Sequence, residues 1–337
     1  MNRRLFLTAL GATAVSGLAA CTATSPTTPA QNGKPAGRVL TIGLTYTPDI
    51  QFAPCYVAAD KGYFAAEGVD VTLRHHGANE PLLGALEAGT EQVVWAGAAE
   101  MLQSRSQGVP IVNFATLYQD YPVVLVTRED SPIRAAADLR GRSVGVPGPY
   151  GETWFGLLAL LKQAGLSQND VQVKNIGYTQ QAALTGKQVD AVMGYSNNDA
   201  VRLSSGGLPI RTIPIAKGTV PLIGTGLGAS ETTIKNNAED LKAVTRAIQR
   251  AISDIIANPA EAVQQSKRWV PNLSVPEQQK SALGTLEATI PLYGGAGSIG
   301  RQDRLGWEAM SAFMQEVGLL AKPVLAAEAY TDSIVGN

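Results

Sequence analysis

The spacing of apolar and polar positions changes repeatedly along this chain, and each change marks an element. Val69-Asp70-Val71-Thr72-Leu73 alternates apolar with polar, the two-residue period of a half-buried strand. Arg38–Leu44, Gln92–Trp95 and Ile111–Leu117 are short apolar runs of strand length. Helical spacing falls between them, over 53–61, 81–88 and 99–107, each followed by a stopping glycine (Gly62, Gly89, Gly108). A second series starts near residue 127, with strands over 143–146, 171–176 and 189–194. Its helices are expected over 152–164, 180–184 and 199–205. One more strand is expected over 223–227, and after it only helices, over 238–257, 260–269, 276–289 and 303–317. Strands alternating with short helices predict an α/β fold, with mostly parallel sheets covered by helices. Two such sets, the first resumed after the second, predict two lobes joined by a hinge of two crossings. Lobe 1 is expected over 38–126 plus 222–330, with a helical C-terminal region, and lobe 2 over 127–221. No tandem repeat interrupts this order.

Ligands of open parallel sheets lie beyond the carboxyl ends of the strands. The loops at those ends hold many of the chain's six Phe, four Trp and ten Tyr. They carry Tyr46, Asp49, Gln51 and Phe52; His75 and His76; Trp95 and Glu100; Tyr118, Gln119 and Tyr121; Tyr150, Glu152 and Trp154; Tyr178 and Gln180; and Tyr195, Asn197 and Asn198. Flat π-faces stack on planar ligands, while amides and carboxyls satisfy ring nitrogens and exocyclic groups. The plainer reading of any one of these aromatics is a core residue capping its strand. Their clustering points to a binding cleft between the lobes.

The N-terminus carries a different signal. Arg3 and Arg4 precede an apolar stretch, Leu5–Ala20, that ends in small residues before Cys21. It is too short to span a bilayer and has the form of a signal peptide over 1–20. Leu18-Ala19-Ala20-Cys21 resembles a bacterial lipobox, which implies cleavage before Cys21 and lipidation of its thiol. Arg3-Arg4-Leu5-Phe6-Leu7 also resembles a twin-arginine export signal, although paired arginines occur in ordinary signals too. Residues 21–37 are mostly Thr, Ser, Pro, Ala, Gly and Asn, the composition of a flexible linker. The expected location is the outer face of the cytoplasmic membrane.

Charge and cysteine content narrow the classes. Lys and Arg number 27 against 28 Asp and Glu, so no basic surface for nucleic acid is expected. The only cysteines are Cys21 and Cys55, and lipidation of the first leaves no intramolecular disulfide. Cys55 lies in an apolar helical run and reads as core. His75 and His76, adjacent at a strand end, point to opposite sides and lack a cysteine or His-x-x-His companion. No metal site and no cofactor are expected. No Gly-x-Ser-x-Gly elbow or Gly-x-x-x-x-Gly-Lys-Ser/Thr loop is present.

The sequence also carries a family resemblance. Tyr46-Thr47-Pro48-Asp49-Ile50-Gln51-Phe52-Ala53-Pro54 runs into Tyr56-Val57-Ala58-Ala59-Asp60-Lys61-Gly62-Tyr63-Phe64, then Glu67-Gly68-Val69-Asp70-Val71. Leu86-Glu87-Ala88-Gly89, Gln107-Gly108-Val109-Pro110-Ile111, 138–146 and Gly186-Lys187-Gln188-Val189-Asp190-Ala191 follow in order. This succession resembles the thiamine-pyrimidine-synthase/alkanesulfonate-binding family of type II periplasmic binding proteins, over about residues 38–320. The resemblance implies a monomeric solute receptor that delivers a small molecule to the permease of an ABC importer. Pro48–Pro54 with Gly194-Tyr195-Ser196-Asn197-Asn198 is most similar to the branch for riboflavin or thiamine-pyrimidine precursors. Carried over by position, Asp49, Gln51, Phe52, Trp95, Tyr118, Tyr150, Glu152, Tyr195 and Asn197 would line the cleft. Trp154 and Asn198, from the same loops, complete the candidate ligand-binding set.

Two alternatives stay open at this point. Sulfonate, taurine or nitrate receptors need anion donors, and Gly97-Ala98-Ala99 opens a helix that suits an anion. Glu100 and Glu152 oppose that reading. The synthase enzymes of the same fold use iron and a cysteine-rich motif. Here the corresponding stretch, Pro221–Ser230, has no cysteine, and Phe52 stands where their loop offers a histidine. The expectation is a non-enzymatic receptor.

Overall fold

A computed structural model describes residues 38–77, 80–215, 222–295 and 297–335. The predicted signal peptide, Cys21 and the linker lie outside the described residues. The chain builds two five-stranded sheets. The first contains β1 (Arg38–Leu44), β2 (Val69–His75), β3 (Val93–Gly97), β4 (Ile111–Thr116) and β10 (Thr225–Ser230). The second contains β5 (Val123–Arg128), β6 (Ser143–Val146), β7 (Gln172–Asn175), β8 (Ala191–Tyr195) and β9 (Ile210–Pro214). Their orders are β2-β1-β3-β10-β4 and β7-β6-β8-β5-β9.

The two sheets share one plan. In the first, β2, β1 and β3 pair in parallel, and β10 runs antiparallel to both β3 and β4. In the second, β7, β6 and β8 pair in parallel, and β5 runs antiparallel to both β8 and β9. The strands that carry the chain across, β5 outward and β10 back, therefore hold equivalent places, each second from an edge. The expectation of mostly parallel sheets holds in this sense: one strand in each is reversed.

Burial explains which strands the sequence pattern finds. On β1, Leu40, Ile42 and Leu44 alternate onto one buried face. β5 was not predicted. Its residues Val123–Thr127 are all buried, so the strand lacks the alternation that marks a one-sided sheet. β9, an edge strand ending at Pro214, was not predicted either. The helix expected over 81–88 shrinks to Gly84–Glu87. Gly84 inside the segment weakens it by about 1 kcal/mol relative to alanine. Two expected stops show why glycine stands there: Gly108 (φ 110°) and Gly165 (φ 66°) adopt backbone conformations that other residues resist.

Helices cover both sheets. Leu241, Val244, Ile248, Ile252 and Ile255 form a buried stripe along the helix Ala238–Ala257, at the three-to-four-residue spacing of one helical face. That stripe packs with β1 and with Tyr56 and Val57 of the helix Ala53–Asp60. Cys55, on the same helix, is a fully buried free thiol. A second core joins Ala98, Ala99 and Leu102 to β5, to the helix Gly151–Gln163, and to Trp307, Met310 and Phe313 of the C-terminal helix Arg304–Glu316. Among the described residues, no helix is long and apolar enough to cross a membrane.

Candidate functional site

The aromatic side chains expected at the strand ends meet in a continuous row. Phe52, just after the loop that follows β1, stands edge-on to Trp95 of β3, with centroids 5.8 Å apart. Trp95 stands edge-on to Tyr118 (6.4 Å), and Tyr118 to Tyr293 (5.6 Å). Edge-to-face geometry sets the positive rim of each ring on the negative face of the next. His75 continues the row on the other side, edge-on to Phe52 at 5.6 Å. Its Nδ1 lies 3.0 Å from the Tyr46 carbonyl, which only accepts, so Nδ1 carries the proton. Nε2 then accepts from the Tyr56 hydroxyl at 3.0 Å. Burial lowers the pKa of His75, in keeping with this neutral ring.

Polar contacts cross from one sheet's loops to the other's. Asp49 caps the short helical turn Ile50–Phe52, its Oδ1 accepting from the Gln51 N–H at 3.2 Å. Its Oδ2 accepts from Arg202, on the helix Asp199–Ser205, at 2.7 Å. Asn197, which follows β8, donates from Nδ2 to the Thr289 hydroxyl at 2.8 Å, while its buried Oδ1 has no hydrogen-bond partner. Tyr118 lies close to both: burial pushes its phenol up, Asp49 adds to this, and hydrogen bonds with Asn197 and Thr289 oppose it. Tyr46 and Tyr178 meet nearer the surface, with ring centroids 6.2 Å apart. Beside them a cavity of about 510 Å³ opens between Tyr178, Gln180, Asp199 and Arg202.

A third crossing joins two helix N-termini. Glu152 is buried in the first turn of Gly151–Gln163, and its Oε1 lies 3.4 Å from the Glu100 N–H in the first turn of Ala98–Ser106. A Cβ on Gly97 would overlap that Oε1, so only glycine lets the carboxyl sit here. The Tyr121 hydroxyl lies 2.6 Å from Glu152 Oε2 and 2.8 Å from the Glu152 main-chain oxygen. Glu100 turns back to accept from the Gly97 N–H at 3.1 Å. Burial raises the pKa of both carboxyls, and for Glu152 the neighbouring Glu100 charge raises it further. Burial also raises the Tyr121 and Tyr195 phenols, with these two acids adding to the shift.

Another buried carboxyl lies beside the end of β2. Glu91 accepts from Arg74 at 2.6 Å, and its two oxygens lie 3.0 and 3.1 Å from His76 Nε2. Arg74 also bonds Glu80 at 2.6 Å. His75 and His76 thus turn to different partners, as adjacent positions at a strand end require.

The expected residues do not all take the same kind of place. Phe52, Trp95, Tyr118, Asp49, Asn197 and Glu152 are buried around the contacts just described. Gln51, Tyr195 and Asn198 are partly exposed, and Tyr195 donates its N–H to Asp199 Oδ2 at 2.8 Å. Tyr150 is half exposed and flanks Gly148. Trp154 stands apart: two positions beyond Glu152 it faces the other side of its helix and enters the second core. Arg202, Thr289 and Tyr293 were not foreseen, because nothing local marks them and their partners are 153, 92 and 175 residues away.

The model of the family described as NMT1/THI5 like matches residues 49–262, more than half of the chain. The chain belongs to the NMT1/THI5-like family. A curated relative in this family, the riboflavin-binding protein RibY of Chloroflexus aurantiacus, is 34% identical over 98% of each chain. The formylaminopyrimidine-binding protein of Halalkalibacterium halodurans is 24% identical over 86% of this chain and 88% of its own. Proteins named 4-amino-5-hydroxymethyl-2-methylpyrimidine phosphate synthase also occur among the relatives, at lower identity. Among solved structures, the periplasmic aliphatic sulphonate binding protein SsuA of Escherichia coli superposes with a TM-score of 0.70. It is 17% identical, over 87% of this chain and 91% of its own, so the likeness shows the NMT1/THI5-like chain's fold and no more. That fold is the periplasmic-binding-protein fold expected from the sequence.

Proposed function

We propose that this protein is the extracytoplasmic solute-binding component of an ABC importer, holding a planar, uncharged aromatic heterocycle between its two sheets. Riboflavin or a pyrimidine precursor of thiamine fits that description. The observation that carries the reading is the seat of Glu152. A carboxyl takes the helix terminus where an anionic ligand would otherwise bind, beside a row of aromatic faces and amide groups. The riboflavin- and formylaminopyrimidine-binding relatives support the same class. Lobes over 38–126 plus 222–330 and over 127–221 would close on the ligand through contacts made only in the closed state. Asp49, Gln51, Phe52, Trp95, Tyr118, Tyr150, Glu152, Tyr195, Asn197 and Asn198 would line or edge that space. Cys21 would carry the lipid that holds the receptor beside its permease.

Titration of the purified mature protein with riboflavin, N-formyl-4-amino-5-aminomethyl-2-methylpyrimidine and methanesulfonate tests this by calorimetry. Saturable binding of one heterocycle and none of methanesulfonate is expected. Indifference to both heterocycles, or turnover of either in place of reversible binding, overturns the reading.

A further inference from the structure

The helix Ala98–Ser106 presents a first turn of unpaired N–H groups, and its partial positive charge attracts anions. In this chain the place is already filled from within. Glu152 reaches over from the other sheet's first-turn helix and sets Oε1 on the Glu100 N–H. Gly97 supplies the room, and Tyr121 holds the second oxygen. The titratable groups that face this carboxyl are Glu100 from the helix it caps, Tyr121 from the segment before β5, and Tyr195 from the end of β8. All are acids or phenols.

We infer that Glu152 is the specificity-determining residue of the cleft: its carboxyl occupies the oxyanion place at the Ala98–Ser106 helix and so excludes anionic ligands. This rests on the reading that the cleft is the ligand site. An arriving sulfonate finds the Glu100 N–H already taken by Glu152 and faces two carboxyls. Specificity arises as much from such repulsion as from attraction to the favoured ligand. Loss of Glu152 beyond Cβ leaves space of about the size of a tetrahedral oxyanion head and frees the helix N–H groups. Glu100 then remains as the one opposing acid named above.

The test compares wild type, Glu152→Gln, Glu152→Ala and Glu152→Ala/Glu100→Gln in the full mature protein, with methanesulfonate as the probe in calorimetry. Wild type and Glu152→Gln should show no binding, because both fill the place. Glu152→Ala should gain saturable binding, and the double variant should bind about tenfold more tightly again, about 1.4 kcal/mol. The gain should weaken with added salt. Circular dichroism and thermal melts establish that each variant folds. Should Glu152→Ala not fold, Glu152→Ser takes its place with the same expected gain. Methanesulfonate binding by wild type, or a folded double variant as indifferent as wild type, overturns the inference. Its failure is separable from that of the receptor reading, since wild type can bind a heterocycle whether or not the variants gain an anion.

Discussion

Glu91 and Glu152 are two buried carboxyls that sit in the same way and live in opposite surroundings. Each lies on a glycine with no room for a side chain, Gly43 beneath Glu91 and Gly97 beneath Glu152. Glu91 is met by the Arg74 guanidinium and the His76 ring, and Glu80 completes the set. Glu152 is met by a tyrosine hydroxyl, a helix terminus and another acid. A buried charge that is paired serves the fold, because its partners replace the lost water. A buried acid left without a cation holds its proton more tightly, and such groups gather at functional sites. The first centre thus reads as a joint at the end of β2, and the second as part of the site.

The largest expected effect breaks the paired centre. Glu91→Gln should cost about 3 kcal/mol of stability, since His76 is left buried beside an amide and Arg74 loses one of its carboxylates. Glu152→Gln should cost almost nothing or stabilise the protein at neutral pH, because the amide is neutral without the proton that burial makes the carboxyl take up. Urea denaturation of the two variants decides the matter. Equal losses would end the contrast between the centres.

A smaller effect appears in the pH dependence of wild type. The folded-state pKa values of Glu100 and Glu152 lie above their ordinary value of about 4.5, so the folded protein holds more protons than the unfolded chain above that pH. Their contribution to stability is therefore intact below about 4.5 and declines as pH rises toward neutrality. Melting temperatures measured from pH 4.5 to 8 should fall in wild type and fall less in Glu152→Gln. Identical slopes would show that the pair does not titrate in this window.

The smallest effect concerns the half-exposed ion pair between Arg202 and Asp49. The Arg202 side chain is 51% exposed, so the pair is worth at most about 1 kcal/mol. Arg202→Ala should weaken heterocycle binding by about two- to fivefold at low ionic strength, with the difference shrinking at high salt. Calorimetry at two salt concentrations measures this. A larger, salt-insensitive loss would place Arg202 on the ligand itself.

Much of this arrangement was legible in the sequence, and the gaps have physical causes. Strands covered on one face announced themselves by alternation, and helices by their glycine stops. β5 escaped because burial on both faces erases the alternation, although it is the strand that carries the chain into the second sheet. Glu100 and Glu152 were both recognised as opposing an anion. Their meeting was not, because a contact across 52 residues leaves no local mark. Trp154 was placed with Glu152 by nearness in sequence, and the turn of the helix separates them. Trp95 and Tyr118 were expected to line the cleft between the lobes, and both are 3% exposed where the loops of the two sheets meet.

The place of β10 also sets the order in which the protein assembles. β3 and β4 are not paired with each other; each is paired with a strand that emerges more than a hundred residues after β4. Until Thr225–Ser230 arrives, the first sheet has two bare inner edges, and the intervening chain can complete β5–β9 without it. Such distant pairing slows folding and keeps strand edges unsatisfied until late. The first sheet to be synthesised therefore cannot close until β10 has been made, and pulsed hydrogen exchange during refolding should show β3 and β4 amides gaining protection together with β10.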